Sequence, residues 1–334
     1  MSDGVKTTTA DPSAGEDLMA VEDLSVHFRQ RRKVARTLDG VSREWRRGEV
    51  LGVDGESGCG KSTLARAMLG LQPTAGGEVT LHGNEATGKK GLAELRRRIQ
   101  MIFQDPYQTL NPRQRVRAIV TEPLIVQNVD RSEHTERVRR ALGDVGMDPD
   151  RFLDRYPHQL SGGQRQRVAI AAALVLEPEG LICDEPVSML DASVRSQILA
   201  VLLELQQRRN LALIFITHDL SLAWSLCDRI AVMYLGRIVE TGTTQDIFEA
   251  PAHPYTRALL SSVPSVRRES RRERVVLEGD VPSPMNPPSG CHFHPRCPLA
   301  EPRCRERYPA QTRISDTHTA ACHLVADQVG EPGA

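Results

Sequence analysis

The sequence predicts an α/β fold: a phosphate-binding core that opens with an antiparallel β subdomain, carries a helical insertion, and ends in a small, irregular, cysteine-rich C-terminal domain. Three observations carry this. A glycine loop, Gly55-Glu56-Ser57-Gly58-Cys59-Gly60-Lys61-Ser62, sits between a short apolar run and a helical one. A second apolar run, Gly180-Leu181-Ile182-Cys183-Asp184, ends in a carboxylate and is followed by Glu185. From about residue 262 the chain turns to arginine, proline and cysteine.

In chain order, residues 1–19 read as a disordered tail: Met1 to Glu16 is polar, with Thr7-Thr8-Thr9 and no apolar stretch of a signal peptide. The segment Asp23 to Phe28 alternates weakly and reads as a strand. Glu49 to Val53 is short and apolar after the turn-like Arg46-Arg47-Gly48, and reads as a buried strand. Ser62 to Leu69 then reads as a helix, stopped by Gly70 with Pro73 beyond.

Strand, glycine loop, helix is the context GxxxxGK[ST] requires, the signature of a P-loop nucleotide site. Gly55, Gly58 and Gly60 let backbone N–H groups turn inward with Ser57 and Cys59 between them. The helix start at Lys61, Ser62 and Thr63 adds positive potential. Lys61 is placed to reach the β- and γ-phosphates, and Ser62 to offer its hydroxyl to Mg²⁺. Cys59 suggests no chemistry of its own.

Gln104 follows an apolar stretch and opens a helical insertion over about residues 105–177. Within it, Ser161-Gly162-Gly163-Gln164 is a capping box that starts a helix running to Leu176. A helix start with two glycines is also an anion site. The core resumes at Leu181 to Asp184. Asp184 at a strand end is a candidate Mg²⁺ holder, and Glu185 beside it a general base or water-positioning group. Asp191 precedes a helix, Ala192 to Gln207, with Val194, Ile198, Leu202 and Leu205 on one face. The strand Leu211 to Ile216 delivers His218, a candidate γ-phosphate contact. The strand pair Ile230–Tyr234 and Arg237–Glu240 closes the core around Gly236.

The C-terminal region divides into an arginine-rich linker, Arg267 to Arg274, and a proline-rich, core-poor segment with Cys291, Cys297, Cys304 and Cys322. Four thiolates there are candidate ligands of a metal centre, and His292, His294, His318 and His323 lie near them. Residues 326–334 read as a tail. Lysine plus arginine number 43 and aspartate plus glutamate 43, so no net field favours nucleic acid. No apolar run reaches the ~20 residues that span a bilayer.

Taken together, Lys61 and Ser62, Gln104, Ser161 to Gln164, Asp184 with Glu185, Asp191 and His218 resemble, one by one and in order, the Walker A, Q-loop, signature, Walker B, D-loop and H-loop residues of ABC-transporter nucleotide-binding subunits. Over about residues 20–325 the chain is similar to the ATPase subunits of bacterial dipeptide and oligopeptide importers. That narrower likeness rests on Phe103-Gln104-Asp105-Pro106-Tyr107, Leu110-Asn111-Pro112-Arg113, Glu185-Pro186-Val187-Ser188, His253-Pro254-Tyr255-Thr256-Arg257-Ala258-Leu259-Leu260 and the cysteine-rich tail.

The resemblance implies an ABC ATPase domain over residues 20–260 and an oligopeptide-transporter-type C-terminal region over 261–325. It implies ATP sandwiched between the phosphate loop of one chain and the signature helix of a partner, with Phe28 as the adenine-stacking candidate. The implied partners are a second ATPase subunit in a heterodimer, two integral-membrane permease subunits and an extracytoplasmic solute-binding protein, with the chain peripheral on the cytoplasmic face of the membrane. Residues 107–113 are the implied permease contact. The tail cysteines are the implied holders of a [4Fe–4S] cluster, with Zn²⁺ as the alternative. A non-transport ABC ATPase, a metal- or redox-regulated ATPase, and import of nickel chelates or glutathione are the competing readings.

Overall fold

The computed structural model describes residues 16–30, 33–262 and 277–330. The expectations for Thr7-Thr8-Thr9 and for the linker Arg267 to Arg274 fall outside these residues.

Two sheets organise the chain. The first is antiparallel, in the order β2-β1-β4-β5: β1 is Asp17–Gln30, β2 Lys33–Arg46, β4 Gly76–Leu81 and β5 Asn84–Glu85. The strand expected over Asp23 to Phe28 therefore starts earlier. Leu18 and Met19 are buried, and Met19 pairs with Trp45 on one side and Leu81 on the other. The tail expected to run to residue 19 thus overlaps β1, because the apolar Leu18 and Met19 complete the core.

The second sheet has eight strands in the order β11-β12-β10-β9-β3-β8-β7-β6. These are β3 Val50–Asp54, β6 Ile99–Ile102, β7 Gly180–Asp184, β8 Ala212–Ile216, β9 Arg229–Tyr234, β10 Arg237–Thr243, β11 Thr312–Arg313 and β12 Thr319–Ala320. Strands β9, β3, β8, β7 and β6 run parallel. A parallel sheet covered on both faces is built from near-continuous apolar strands, and period-two alternation divides each strand between two cores. In β8, Leu213 and Phe215 join the helical side, whereas Ala212, Ile214 and Ile216 join the side of the antiparallel sheet. In β9, Val232 and Tyr234 take the first side and Ala231 and Met233 the second.

The helical insertion lies on the first face. Its helices Val116–Val126, Arg131–Asp144 and Gly162–Leu174 bury Val120, Leu124, Leu142, Val168 and Ile170. The stretch 107–113, the implied permease contact, is entered through a single helical turn, Pro106–Thr109. The helix after Asp191 spans Ala192–Arg209 and buries Ile198, Leu202 and Leu205 as the spacing predicts, with Val194 only partly covered. The β9–β10 turn places both Leu235 and Gly236 at positive φ, 42° and 80°. That two-residue geometry matches the strand twist of a tight hairpin.

The C-terminal region corrects the sequence reading most. Residues 277–301 hold neither helix nor strand, as the irregular reading expects, but the region also packs on the main sheet, and β10 does not close that sheet. Strand β12 pairs with β10 through Glu240↔Ala320 and Thr241↔Thr319, and β11 pairs with β12. Phe293 is buried against Tyr234 and Tyr255, with ring centroids 5.2 and 5.3 Å away. Residues 323–329 form a helix, where a tail was expected from 326. The physical reason is a buried acid. Glu240 is fully enclosed and accepts from the N–H of Ala252 (2.7 Å) and of His253 (2.9 Å), while its Oε1 lies 2.8 Å from His318 Nε2. That web draws the last strand onto the sheet. The histidines expected near the thiols are engaged elsewhere: His292 with the Leu235 carbonyl and His323 with the Arg307 carbonyl, while His294 contacts the carbonyl of Cys291.

Replacing His318 with alanine strips one partner from this enclosed carboxylate. The unfolding free energy should fall by about 2 kcal/mol, read as a lower denaturant midpoint. An unchanged midpoint would show that the C-terminal strand is held by other contacts.

Candidate functional site

Strands β3, β7 and β8 are parallel, so their carboxyl ends open on one edge of the sheet, where ligands bind in such folds. This edge carries the glycine loop after Asp54, the pair Asp184 and Glu185, and His218 after β8.

The loop is shaped by backbone crowding. Gly55 has φ 152°, and a Cβ there would lie 2.2 Å from the Met233 carbonyl oxygen. Gly60 has φ 115°, and its Cβ would lie 2.7 Å from the Thr37 carbonyl oxygen. Gly58, at φ 79°, faces open space. Ser57 is exposed at the rim, Cys59 is buried beneath the loop, and Ser62 and Thr63 are half-buried in the first turn of the helix Lys61–Met68. Burial raises the Cys59 thiol, which keeps it protonated and inert. The first N–H groups of that helix have no intrahelical acceptor and point out of its positive end. Lys61 is buried and folds back over the loop. Its Nζ donates to the carbonyls of Gly55 (2.5 Å) and Glu56 (3.1 Å). Beneath it, burial pushes the Asp54 carboxyl up to about 7, with Lys61 opposing.

The opposite wall meets the loop directly. Ser62 Oγ donates to Asp184 Oδ1 at 2.9 Å. Burial raises the Asp184 carboxyl, and the Ser62 bond opposes the rise. Glu185 sits at φ 46°, a left-handed conformation costly for a side chain of this kind, and its N–H is tied to the Ile216 carbonyl at 3.1 Å. Both of its carboxylate oxygens are engaged: Gln104 Nε2 donates to Oε2 at 2.9 Å, and His218 Nδ1 lies 3.2 Å from Oε1. Three residues predicted separately thus converge at the mouth of the loop.

The signature residues form the predicted capping box. Ser161 Oγ accepts from Gln164 N, and Gln164 Oε1 accepts from Ser161 N at 3.0 Å. A Cβ on Gly163 would lie 2.4 Å from Val194 Cγ1, so this glycine lets the helix starting at Gly162 press against the one starting at Ala192. Asp191 caps the latter, accepting from Val194 N at 3.0 Å, a bond that lowers its carboxyl pKa. Among the described residues no hydrogen bond joins Ser161, Gly162, Gly163 or Gln164 to the phosphate loop. Phe28 stands on β1, paired with Ala35 and 40% exposed.

Cys291, Cys297, Cys304 and Cys322 are free of disulfides. Cys291 N donates to the Cys304 carbonyl at 2.8 Å. Burial pushes the Cys291 thiol up to about 11, and the charges of Cys304, Cys322 and Cys297 add to the rise. The four thiols therefore lie in one neighbourhood. Among the described residues, though, no three histidine, cysteine or acidic side chains converge as a site for a single metal ion.

Comparison with known proteins agrees with this geometry. The family model "ABC transporter" matches residues 38–188, and "Oligopeptide/dipeptide transporter, C-terminal region" matches residues 239–304. The oligopeptide transport ATP-binding protein AppF of Bacillus subtilis is 45% identical over 322 residues, covering 92% of this chain and 98% of the relative. The chain belongs to the ABC transporter ATP-binding family. The di/tripeptide transport ATP-binding protein DppF of Pseudomonas aeruginosa is 42% identical, covering 94% of this chain and 100% of that protein. Among solved structures, cbiO1 of Clostridium perfringens, part of the ABC transporter complex cbiONQ, superimposes with TM-score 0.62 at 32% identity, covering 70% of this chain and 92% of its own. The ATP-binding cassette MJ0796, a dimer in a post-hydrolysis state bound to ADP and Pi, gives TM-score 0.61 at 27% identity, covering 68% and 98%.

The protein is therefore an ABC ATPase, and ATP with Mg²⁺ is the group its site must fit. Glycines pressed against backbone, free helix N–H groups, and the Lys61, Ser62 and Asp184 side chains suit a magnesium-bound triphosphate. Sequence reasoning missed two groups that frame this ABC ATPase site. Tyr255 Oη accepts from Glu56 N at 2.9 Å, and Arg296 grips the Glu56 carboxylate. Tyr255 lay inside a quoted motif, but no local pattern ties residues 255 and 296 to residue 56.

The two glycines offer a contrast. Gly60→Ala forces a side chain into the Thr37 backbone at a strained φ, and should weaken ATP binding at least about tenfold while lowering the melting temperature. Gly58→Ala meets only the backbone cost and should be milder in both. Equal losses in binding titrations would remove the role assigned to close backbone approach.

Proposed function

We propose that this chain is the ATP-binding and ATP-hydrolysing subunit of a membrane importer of dipeptides or oligopeptides. The observation that carries the catalytic part is the meeting of Gln104, Glu185 and His218 across from Lys61, Ser62 and Asp184. The match of the C-terminal region to the oligopeptide/dipeptide family, together with the relatives named for peptide transport, supports the substrate class.

In this reading, the loop from Gly55 to Thr63, with Ser57 and Cys59 in its backbone, cradles the phosphates, and Lys61 offsets their charge. Ser62 and Asp184 hold Mg²⁺. When bound, Mg-ATP supplies the phosphoanhydride to be cleaved. Glu185 positions the attacking water and takes up its proton, while Gln104 and His218 fix both carboxylate oxygens in place. Phe28 stacks on adenine. Ser161, Gly162, Gly163 and Gln164 present an anion-binding helix start to the phosphate loop of a second ATPase subunit, and Asp191 lies at that same junction. Two permease subunits and an extracytoplasmic binding protein complete the importer, with this chain peripheral on the cytoplasmic face of the membrane. The absence of any long apolar helix among the described residues is compatible with that placement.

We also propose a [4Fe–4S] cluster on Cys291, Cys297, Cys304 and Cys322. Four undisulfided cysteines in one neighbourhood are the donor set such a cluster takes.

Two measurements test these readings. Lys61→Ala should lose ATP binding, whereas Glu185→Gln should keep binding and lose at least about a hundredfold in turnover. Wild-type turnover in Glu185→Gln would remove the base assigned here. Anaerobically purified protein should carry about four irons and four acid-labile sulfides per chain. Iron-free protein with one zinc, or with four titratable thiols, would rule the cluster out.

A further inference from the structure

Glu56 places a carboxylate inside a loop built to receive a triphosphate. Left alone, that charge would oppose the ligand. It is not alone: Arg296 Nη1 donates to Glu56 Oε2 at 2.7 Å and Nη2 donates to Oε1 at 3.1 Å, a two-pronged pair. The Arg296 side chain is 7% exposed and that of Glu56 26%, so the pair is screened far less than a surface ion pair.

The same residue is held at two further points. Its N–H donates to Tyr255 Oη, and its carbonyl accepts from Lys61 Nζ. Behind Arg296, Tyr234 lies within reach: Nη1 is 3.5 Å from its hydroxyl, and the guanidinium carbon is 5.9 Å from its ring centre. Tyr234, Tyr255 and Phe293 pack on one another. Phe293 and Arg296 both belong to the C-terminal segment, and Cys297 follows Arg296 directly. A guanidinium that could have faced water is instead threaded to the phosphate loop across 240 positions of sequence.

We infer that Arg296 is a positioning residue for ATP: from the cysteine-bearing C-terminal segment it neutralises and orients Glu56, so that nucleotide affinity depends on that segment's seat against the phosphate loop. The inference rests on the ATPase reading above and adds to it a control element outside the six motifs. Arginine is suited to this because its planar fork matches both carboxylate oxygens and stays charged at all working pH values.

The test is calorimetric titration of the full-length chain with Mg²⁺ and the non-hydrolysable β,γ-imido analogue of ATP. Binding by the wild-type chain tests the ATP site itself, and the ratios between variants test Arg296. Arg296→Ala leaves Glu56 unneutralised and should weaken binding about tenfold, with Arg296→Lys falling between that variant and wild type because the charge remains while the two-pronged fit is lost. Adding Glu56→Gln to Arg296→Ala should restore most of the loss, a rescue that a merely structural role would not give. Should Arg296→Ala fold poorly, Glu56→Gln alone decides: with Arg296 freed toward the phosphates, it should bind the analogue more tightly than wild type. Wild-type affinity in Arg296→Ala, a double variant as weak as the single one, or weaker binding by Glu56→Gln alone would each overturn the inference.

Discussion

Three backbones crowd together at the end of β3, and the rest of the site depends on how closely they approach. The loop after Asp54 passes Met233 of β9 at Gly55 and Thr37 of β2 at Gly60, at distances no side chain would permit. Gly236, at the turn after β9, makes the third approach, since a Cβ there would also lie 2.7 Å from the Thr37 carbonyl oxygen. Hydrogen bonds lock the stack: Gly236 N donates to the Cys59 carbonyl at 2.8 Å, and Asp39 N to the Gly236 carbonyl at 3.0 Å. The loop is therefore fixed by the main sheet and the antiparallel sheet together. The antiparallel layer thus helps shape the nucleotide site through backbone contact.

Two side chains of the loop have polar partners within the protein itself. Lys61 is bonded to two loop carbonyls, and Ser62 to Asp184. A ligand phosphate or Mg²⁺ must replace those bonds, so the affinity each side chain contributes is a difference between two good partners rather than a whole bond. The left-handed backbone at Glu185 follows the same logic. Its strain is sustained by the bond to Ile216 and by Gln104 and His218 on its oxygens. These contacts fix the carboxylate at the loop mouth.

What the sequence made legible was local. Ser161 with Gln164 is a capping box at a spacing of three, and the strands β3, β7 and β8 are short apolar runs followed by candidate site residues. Lys61, Asp184 and Glu185 stand out as candidates by their own neighbours, whereas Gln104 and His218 stand out only through the order of the whole motif series. What escaped was carried by contacts between distant segments or by elements too short to leave a pattern. Strands β11 and β12 are two residues each, below any periodicity. His318 reads only as a histidine near the cysteines until Glu240 is seen enclosed beside it. Arg296 reads as one more arginine in a chain rich in them. Leu18 and Met19 follow a polar stretch and gain their place only through Trp45 and Leu81 across the sheet.

A continuous unit also links the carboxylate at the loop mouth to the helix start proposed to face a partner. After Glu185 the chain makes a tight turn in which Ser188 N and Oγ both donate to the Glu185 carbonyl, at 3.2 and 3.1 Å, and Leu190 N donates to the Val187 carbonyl. Asp191 then caps the helix beginning at Ala192, and Arg195 reaches back to the Leu190 carbonyl at 3.4 Å. Val194 of that first turn presses on Gly163, two residues after Ser161. Any side chain at position 163 would separate the two helix starts. With glycine there, Glu185, Asp191 and Ser161 share one packed body. A shift at Ser161 would therefore bear on Val194 and on the turn between Glu185 and Asp191, because close-packed interiors transmit strain instead of absorbing it.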